Sequence, residues 1–244
     1  MDNQTYNPQK TTWAMLLMAI SYLIQLVSTI LSLAIAGDVT DPAQALSTQV
    51  STPMAIVGCL SPISLLLILV AVILVMTERK NLPAPHPRLA LLGFVVFILM
   101  ALANLGVSLP LSFLSTRSGN EAQAVLGLWG SLLGSVLSMV FPVLMFFGVS
   151  NLPQRVMLVL AGLLGAAGSA GVSFLTISNF EMKSMEISGM VVYYPANTLD
   201  ITSGLYRLLS TSSVAAAGLF FVAFLWMAVV YFRRAGQVVD ERVI

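Results

Sequence analysis

Two amide side chains, Gln25 and Asn104, lie inside long apolar stretches of this sequence. Neither is an acid, a base or a nucleophile. Amide oxygens, serine hydroxyls and free backbone carbonyls can still line a path for a neutral solute or coordinate Na⁺. The same groups also hydrogen-bond between neighbouring helices in a membrane. We therefore treat Gln25 and Asn104 as a candidate polar path, with interhelical hydrogen bonding as the alternative interpretation.

No aspartate, glutamate, lysine, arginine or histidine lies inside the core of any apolar stretch. Intramembrane proteolysis needs a serine and histidine pair or two aspartates, and haem or metal ligation needs histidines or thiolates on facing helices. The single histidine, His86, lies in a proline-rich connection, and the single cysteine, Cys59, has no partner for an internal disulfide. Proton pumps normally use buried carboxylates or histidines. The sequence thus predicts a protein that is not an enzyme and that uses no metal or cofactor.

A connection that contains several methionines is the second place in the sequence where side chains could bind a ligand. Met182, Met185 and Met190 carry thioethers, which favour Cu(I), but no cysteine or histidine lies nearby. Methionine and tyrosine suit the membrane interface. We therefore expect the connection 179–206 to lie against the membrane surface, where it is also a candidate surface for a partner.

The composition limits the class of protein. Hydrophobic residues make up 58% of the 244 residues, charged residues only 9%, and the mean hydropathy is +0.94. A soluble domain is typically about 25% charged, so the polar surface here is too small to cover a water-soluble globule. The net charge of +1 gives no reason to expect nucleic acid binding. The composition predicts one polytopic transmembrane domain over residues 1–244, embedded in the lipid bilayer.

Six apolar segments are long enough to cross a bilayer, because about 20 residues at a rise of about 1.5 Å span its hydrocarbon core. We predict an all-α integral membrane bundle of six transmembrane helices. The predicted spans are about 12–36, 53–76, 88–111, 123–149, 156–178 and 208–232.

The distribution of basic residues predicts the orientation, since short loops rich in lysine and arginine stay in the cytoplasm. With the N-terminus inside, eight basic residues fall on the cytoplasmic side and only Arg117, Lys183 and Arg207 fall outside. The connection 77–87, which contains Glu78 and His86, is then cytoplasmic. Both termini are predicted to be cytoplasmic, in a plasma (inner) membrane. The eight inner residues are Lys10, Arg79, Lys80, Arg88, Arg155, Arg233, Arg234 and Arg242.

Small residues recur at helical spacing on the two arms of the segment 123–178, which we predict to be a transmembrane hairpin. Steps of four, three and four residues place each set on one face of its helix. Small faces let helices approach closely in lipid, and we expect these two faces to meet. The sets are Gly127, Ser131, Gly134 and Ser138 on the first arm, and Gly162, Ala166, Ser169 and Ser173 on the second. The predicted helix-packing residues are Gly127, Gly134, Gly162 and Ser169.

Two parts of the chain also resemble each other. The turns Asn81-Leu82-Pro83 and Asn151-Leu152-Pro153 are each followed by an arginine and by an apolar helix that ends in Gly-Val-Ser. Pro62 and Pro142 lie in the helices before the turns. We infer, as a hypothesis, that spans two and three duplicate spans four and five as an internally duplicated helical hairpin related by an axis along the membrane normal. Chance similarity between apolar helices is the alternative.

These observations favour contact over reaction. The expected function is that of a non-enzymatic accessory or scaffold subunit that docks other membrane protein subunits through its glycine-rich faces and outer connection. The alternative is a channel or facilitative transporter for a small neutral or weakly charged solute. A transporter needs a polar cavity near the middle of the membrane, bordered by Gln25 or Asn104.

Overall fold

The computed structural model describes residues 9–38, 52–81, 86–187, 190–197 and 203–240. Nearly all of this part of the chain is helical. Its helices are α1 (Gln9–Asp38), α2 (Thr52–Glu78), α3 (His86–Ala101), α4 (Leu109–Ser118), α5 (Glu121–Phe146), α6 (Leu152–Ser178) and α7 (Gly204–Asp240). A 3-10 turn, Arg79–Asn81, follows α2, and a π-helical segment, Leu102–Ser108, joins α3 to α4. The strands β1 (Phe180–Ile187) and β2 (Met190–Asn197) pair antiparallel.

Five of the helical stretches are long and apolar enough to cross a membrane. A helix satisfies its own backbone hydrogen bonds, which is the condition for crossing hydrocarbon. These stretches are Gln9–Leu31, His86–Ser118, Glu121–Phe146, Leu152–Ser178 and Gly204–Arg233. The apolar stretch described in α2, Pro62–Glu78, is shorter. The fold is therefore helical and compatible with a polytopic membrane protein, whereas a sixth span stays a prediction.

Large apolar side chains are exposed along these helices. Leu66, Leu109 and Leu163 are 60%, 61% and 64% exposed, and each lies in a run with other exposed leucines, valines or isoleucines. Contiguous apolar surface of this kind is rare on soluble monomers and is the normal surface of a protein in contact with lipid. The exposed side chains thus agree with the membrane class that the composition predicted.

The described helices pack into two compact units. The first unit comprises Met1–Phe94, Pro142–Gly162 and Val214–Ile244. The second comprises Val95–Phe141 and Leu163–Ser213. Each unit therefore takes segments that are distant in the sequence, as packing between helices requires.

In the first unit, α1 runs antiparallel to both α2 and α7. The start of α1 meets the end of α7, where the rings of Trp13 and Phe232 lie 5.9 Å apart in an edge-to-face arrangement. Further along α1 the buried ring of Tyr22 stacks on Phe220 and Phe224, with centroids 4.5 and 5.7 Å apart. Offset stacked and edge-to-face pairs are the preferred aromatic arrangements and add to the energy of area burial. This aromatic cluster fixes how α1 and α7 pack.

In the second unit, α3 passes through the π-helical segment into α4 without a break. Pro110 is near the start of α4 and cannot donate a backbone hydrogen bond, and the N–H of Leu109 reaches back to the carbonyl of Asn104. The wider π turn accommodates the missing donor, so the chain stays helical to Ser118. The helix ends at Gly119, whose φ of 67° is left-handed and suits glycine. The third apolar helix is thus longer than the predicted span 88–111.

The connection 179–206 forms a β-hairpin rather than an irregular loop. β1 and β2 pair in register from Phe180 opposite Asn197 to Ile187 opposite Met190, and β2 packs on α4. The methionines and tyrosines of this stretch predicted a connection that lies against the membrane surface, and the strand signal in Val191-Val192-Tyr193-Tyr194 was missed. The hairpin is an ordered extension of the second unit.

Several predicted features lie outside the described residues. They include the polar N-terminal tail up to residue 8, most of the acidic connection with Asp41, and residues 82–85 of the proline-rich turn. The side chains of Cys59 and of the methionines at 182, 185 and 190 also lie outside the description.

The orientation can be measured by cysteine labelling in a Cys59→Ala background. Thr116 and Asn151 are exposed and lie at the end of α4 and just before α6. Because the basic connections stay in the cytoplasm, we expect a membrane-impermeant maleimide to label Thr116→Cys in intact cells and to label Asn151→Cys only after permeabilisation. The Cys59→Ala protein without an added cysteine is the control. Labelling of Asn151→Cys alone in intact cells would reverse the predicted orientation.

Candidate functional site

Gln25 belongs to a hydrogen-bonded network between α1 and α2. The hydroxyls of Ser21 and Ser64 are 2.7 Å apart, and the Ser21 hydroxyl also donates to the Ser64 carbonyl at 3.2 Å. The Gln25 amide Nε2 donates to the Ser64 hydroxyl at 3.2 Å. Ser21 and Ser64 are buried, and Gln25 is half-buried. Within the described residues, the network joins only these two helices. Each hydrogen bond of this kind in a membrane contributes roughly 0.6 to 2 kcal/mol. Gln25 thus helps to set the register of α1 against α2.

Asn104, the other candidate, lies in the π-helical segment and rests on Gly134 of α5. A side chain at Gly134 would collide with the whole amide group of Asn104, so the missing side chain provides the room. The Asn104 amide makes no hydrogen bond within the described part of the chain, and it is half-buried. The structure places Gln25 in the first unit and Asn104 in the second.

The small face of α5 packs on the preceding helix in the sequence. A Cβ at Gly127 would lie 3.2 Å from the Ser112 hydroxyl and 3.3 Å from the Ser108 carbonyl. At Gly130 it would lie 3.2 Å from the Ala103 carbonyl. We expected this face to meet the small face of α6. At Gly127, Gly130 and Gly134 the nearest atoms belong instead to residues 103–112.

On α6, Gly162 is buried and Ser169 is half-buried. Two other glycines of α6 lie against α7. A Cβ at Gly168 would lie 2.6 Å from the Ser213 hydroxyl, and one at Gly171 would lie 2.6 Å from the Leu209 side chain. The pair Gly168-x-x-Gly171 is visible in the sequence, but the stripe through Gly162 and Ser169 was preferred to it.

A buried carboxylate, Glu78, escaped the sequence analysis because it follows the second apolar segment and was assigned to a polar connection. Glu78 is 7% exposed and accepts hydrogen bonds from the backbone N–H of Thr11, at 2.9 Å, and from the Thr11 hydroxyl. The first N–H groups of a helix lack partners within it, and the positive end of the helix dipole favours an anion. Glu78 therefore caps α1 from the end of α2. The sequence shows an acid at a helix end but not the helix end that it reaches.

The turn between α5 and α6 forms a polar cluster with the start of α3. The imidazole of His86 packs on Gly148, where a side chain would collide with its ring. Arg155 donates from Nε to the Ser150 carbonyl at 2.8 Å, and its guanidinium carbon lies 5.1 Å from the centre of the Phe147 ring. The turn is further held by Tyr231, whose hydroxyl donates to the Val149 carbonyl at 2.8 Å.

The β-hairpin is fixed to α4 by an aromatic contact. The ring of Tyr193 covers Gly119, and a side chain at this glycine would overlap the ring. Glu181 and Lys183 form an exposed ion pair of 3.5 Å on β1. This pair joins two residues of the same strand and contributes little. The hairpin is attached to α4 through the contact of β2.

No cluster of three or more histidine, cysteine, aspartate or glutamate side chains that could hold a metal ion occurs in the described part of the chain. Comparisons with protein-family models, with curated proteins and with solved structures find no match for this chain. Apart from the Asn104 amide, the polar groups described above bind each other, cap helices or lie at the ends of apolar helices. Their chemistry is that of hydrogen bonding and charge.

The fit of Asn104 on Gly134 can be tested by filling the space. Because the new methyl group would meet the Asn104 amide, we expect Gly134→Ala to lower the free energy of unfolding by about 1 to 3 kcal/mol, measured by denaturant titration in mild detergent micelles. Adding Asn104→Ala should restore part of the loss. Gly218→Ala is the matched control, since a Cβ there meets no atom within 4 Å. Equal effects of Gly134→Ala and Gly218→Ala would refute the close contact.

The cap on α1 can be tested at Glu78. Glu78→Ala removes the buried carboxylate that accepts two hydrogen bonds from Thr11, and hydrogen bonds to charged groups contribute about 1.5 to 3 kcal/mol. We expect a loss of that size in the free energy of unfolding in micelles. Glu181→Ala, which removes an exposed carboxylate, should change it by about 1 kcal/mol or less. A loss at Glu78 no greater than that at Glu181 would show that the buried cap does not stabilise the protein.

Proposed function

We propose that this chain is a non-enzymatic integral membrane protein of the plasma (inner) membrane that serves as an accessory or scaffold subunit of a membrane protein complex. The observation that carries the proposal is the use of polar groups within the helices. Ser21, Ser64 and Gln25 bind one another, so they contribute to packing between helices. Reactive groups do not converge among the described residues of the spans. A protein built in this way acts through its surfaces.

The proposal includes six spans with both termini in the cytoplasm. α2 is 27 residues long, which at about 1.5 Å per residue corresponds to roughly 40 Å and exceeds the hydrocarbon core. α2 lies antiparallel to α1, as the contacts of Ser21 with Ser64 and of Thr11 with Glu78 require. α7 is also antiparallel to α1, and the contact of Trp13 with Phe232 brings its end beside the start of α1. This arrangement supports an even number of spans.

The duplication of the hairpin is part of the same proposal. Pro62 and Pro142 lie inside α2 and α5, the first helices of the two supposed copies. The second helices differ, since a π-helical segment interrupts the first copy and α6 is a regular α-helix. The shared Asn-Leu-Pro turns and Gly-Val-Ser ends remain the support for duplication.

The β-hairpin is the surface that we propose for docking a partner subunit. It is attached to α4 through Tyr193 and Gly119, so it presents a defined shape rather than a loose loop. Val191 on β2 is 58% exposed, and Glu181 and Lys183 on β1 are exposed as well. An exposed apolar residue beside charged groups is a common arrangement at protein interfaces.

The second candidate function, a channel or facilitative transporter for a small neutral or weakly charged solute, rests on Asn104. Its amide is half-buried, lies in a π-helical segment and has no hydrogen-bond partner in the described part of the chain. π-helical segments are frequent at functional sites, and a polar group in a span often marks a solute path.

Purification from its own membranes in mild detergent tests the first proposal. We expect a partner to co-migrate at a fixed ratio, because a subunit is built to bind one. Val191→Asp, which places a charge on the exposed hairpin, should reduce the amount of partner at least severalfold. Leu152→Asp is the control, since Leu152 is 74% exposed at the start of α6.

Two outcomes would contradict the proposal. In the first, the wild-type chain purifies in good yield without any partner. In the second, the Val191→Asp and Leu152→Asp variants retain equal amounts of the partner. Solute uptake by vesicles containing the purified protein, abolished by Asn104→Ala, would favour the second candidate instead.

A further inference from the structure

Basic side chains at the start of α3 and α6 lack carboxylate partners. The ion pair between Glu181 and Lys183 on the hairpin is the only one found among the described residues. Arg88 and Arg155 form none among the described residues. Positive charges that the protein does not neutralise attract anions from outside it.

Arg155 is held in a fixed position. Its Nε donates to the Ser150 carbonyl at 2.8 Å, which uses one N–H donor. The Phe147 ring covers one face of the guanidinium. A guanidinium has five N–H donors. The two terminal nitrogens of Arg155 therefore remain free to donate, and the planar pair matches a phosphate or carboxylate.

His86 and Arg155 contact the same turn, since the His86 ring packs on Gly148 and Arg155 donates to the Ser150 carbonyl. Burial and, to a smaller extent, the charge of Arg155 lower the pKa of His86. The ring rests on Gly148, and its Nδ1 is buried without a hydrogen-bond partner among the described residues. Nε2 is then the ring nitrogen that can reach a ligand. We assign the proton to Nε2, because a proton on the buried Nδ1 would leave an N–H donor without an acceptor. His86 thus supplies a second donor beside Arg155.

The first turns of α6 provide an apolar surface next to these donors. Leu152, Val156 and Leu160 recur every fourth residue, so they share one face of α6, and they are 74%, 52% and 48% exposed. Arg155 lies within the same turns. A molecule with an anionic head and an apolar tail fits such an arrangement better than a small ion does.

We propose that Arg155 and His86 bind the phosphate of an anionic phospholipid, whose acyl chain lies along the exposed face of α6. Arg155 forms the bidentate contact, and His86 donates the additional hydrogen bond. The site favours an anionic over a zwitterionic lipid, because its unpaired positive charges repel a choline group. This inference does not depend on the accessory or transport function proposed above.

The test uses the purified full chain in mild detergent and native mass spectrometry. Dioleoyl phosphatidylglycerol is the probe, and dioleoyl phosphatidylcholine and inorganic phosphate are compared with it at equal concentration. We expect the phosphatidylglycerol adduct to be about tenfold preferred over phosphatidylcholine, and Arg155→Gln to weaken its binding about tenfold. Arg207→Gln is the matched control, since Arg207 is exposed, forms no ion pair in the described structure and lies at the start of α7.

His86→Gln provides a second variant that leaves Arg155 and its bond to Ser150 in place, and it should weaken binding severalfold. If Arg155→Gln fails to fold, the comparison of His86→Gln with Arg207→Gln decides the matter. Wild-type binding by the folded Arg155 or His86 variants, or equal binding of the two lipids, would overturn the proposal. Displacement of phosphatidylglycerol by an equal concentration of inorganic phosphate would show that the site takes free phosphate, which would also overturn the lipid assignment.

Discussion

Hydrocarbon offers no hydrogen bonds, and this constraint accounts for most of what the helices do. A polar group that enters the membrane without a partner costs several kcal/mol on the scale of roughly 2 to 7 kcal/mol for burial in an apolar medium. A small number of polar side chains avoid this cost by forming hydrogen bonds between helices. Ser21, Ser64 and Gln25 satisfy each other, and Glu78 satisfies the first turn of α1. Each of these contacts joins two helices, so the requirement for pairing also determines which helices are neighbours.

Glycine has a related role in this protein. Without a hydrophobic effect between helices in lipid, close packing holds them together, and glycine permits the closest approach. At three positions the space left by a glycine is filled by a polar side chain of another helix. Asn104 lies on Gly134, His86 lies on Gly148, and the hydroxyl of Ser213 lies at Gly168. These glycines therefore do more than bring two backbones together, because each provides room for a polar side chain beside the backbone of a helix or turn.

The sequence was sufficient for the features that depend on local composition. Runs of about 20 apolar residues, with charges only at their ends, predicted the helices and the membrane class, and the positions of the helices follow from them. Features that depend on pairing between distant segments could not be read in the same way. The stripe through Gly127 and Gly134 was recognised, but its partner was assigned to α6 when the nearest atoms belong to residues 103–112. Helical periodicity identifies a face, and it carries no information about what meets that face.

Contacts between parts of the chain also account for two further differences from the sequence prediction, the length of the third apolar helix and the burial of Glu78. The third span was predicted to end at residue 111, yet the π turn from Leu102 to Ser108, which precedes Pro110, lets the helix continue to Ser118. Glu78 was placed in a solvated connection because it is charged, and its burial depends on the start of α1, which lies 67 residues earlier in the chain.

Asn104 is a polar side chain inside a span that has no hydrogen-bond partner within the described part of the chain. Its amide occupies a place made by Gly134, so its position is determined by packing, but its donors and acceptor are not used there. An amide that is fixed in position without hydrogen bonds favours the binding of a group that can supply them. In a subunit of a complex that group comes from a helix of the partner, and in a transporter it comes from water or solute. The two proposed functions therefore differ in which group completes the hydrogen bonds of the Asn104 side chain.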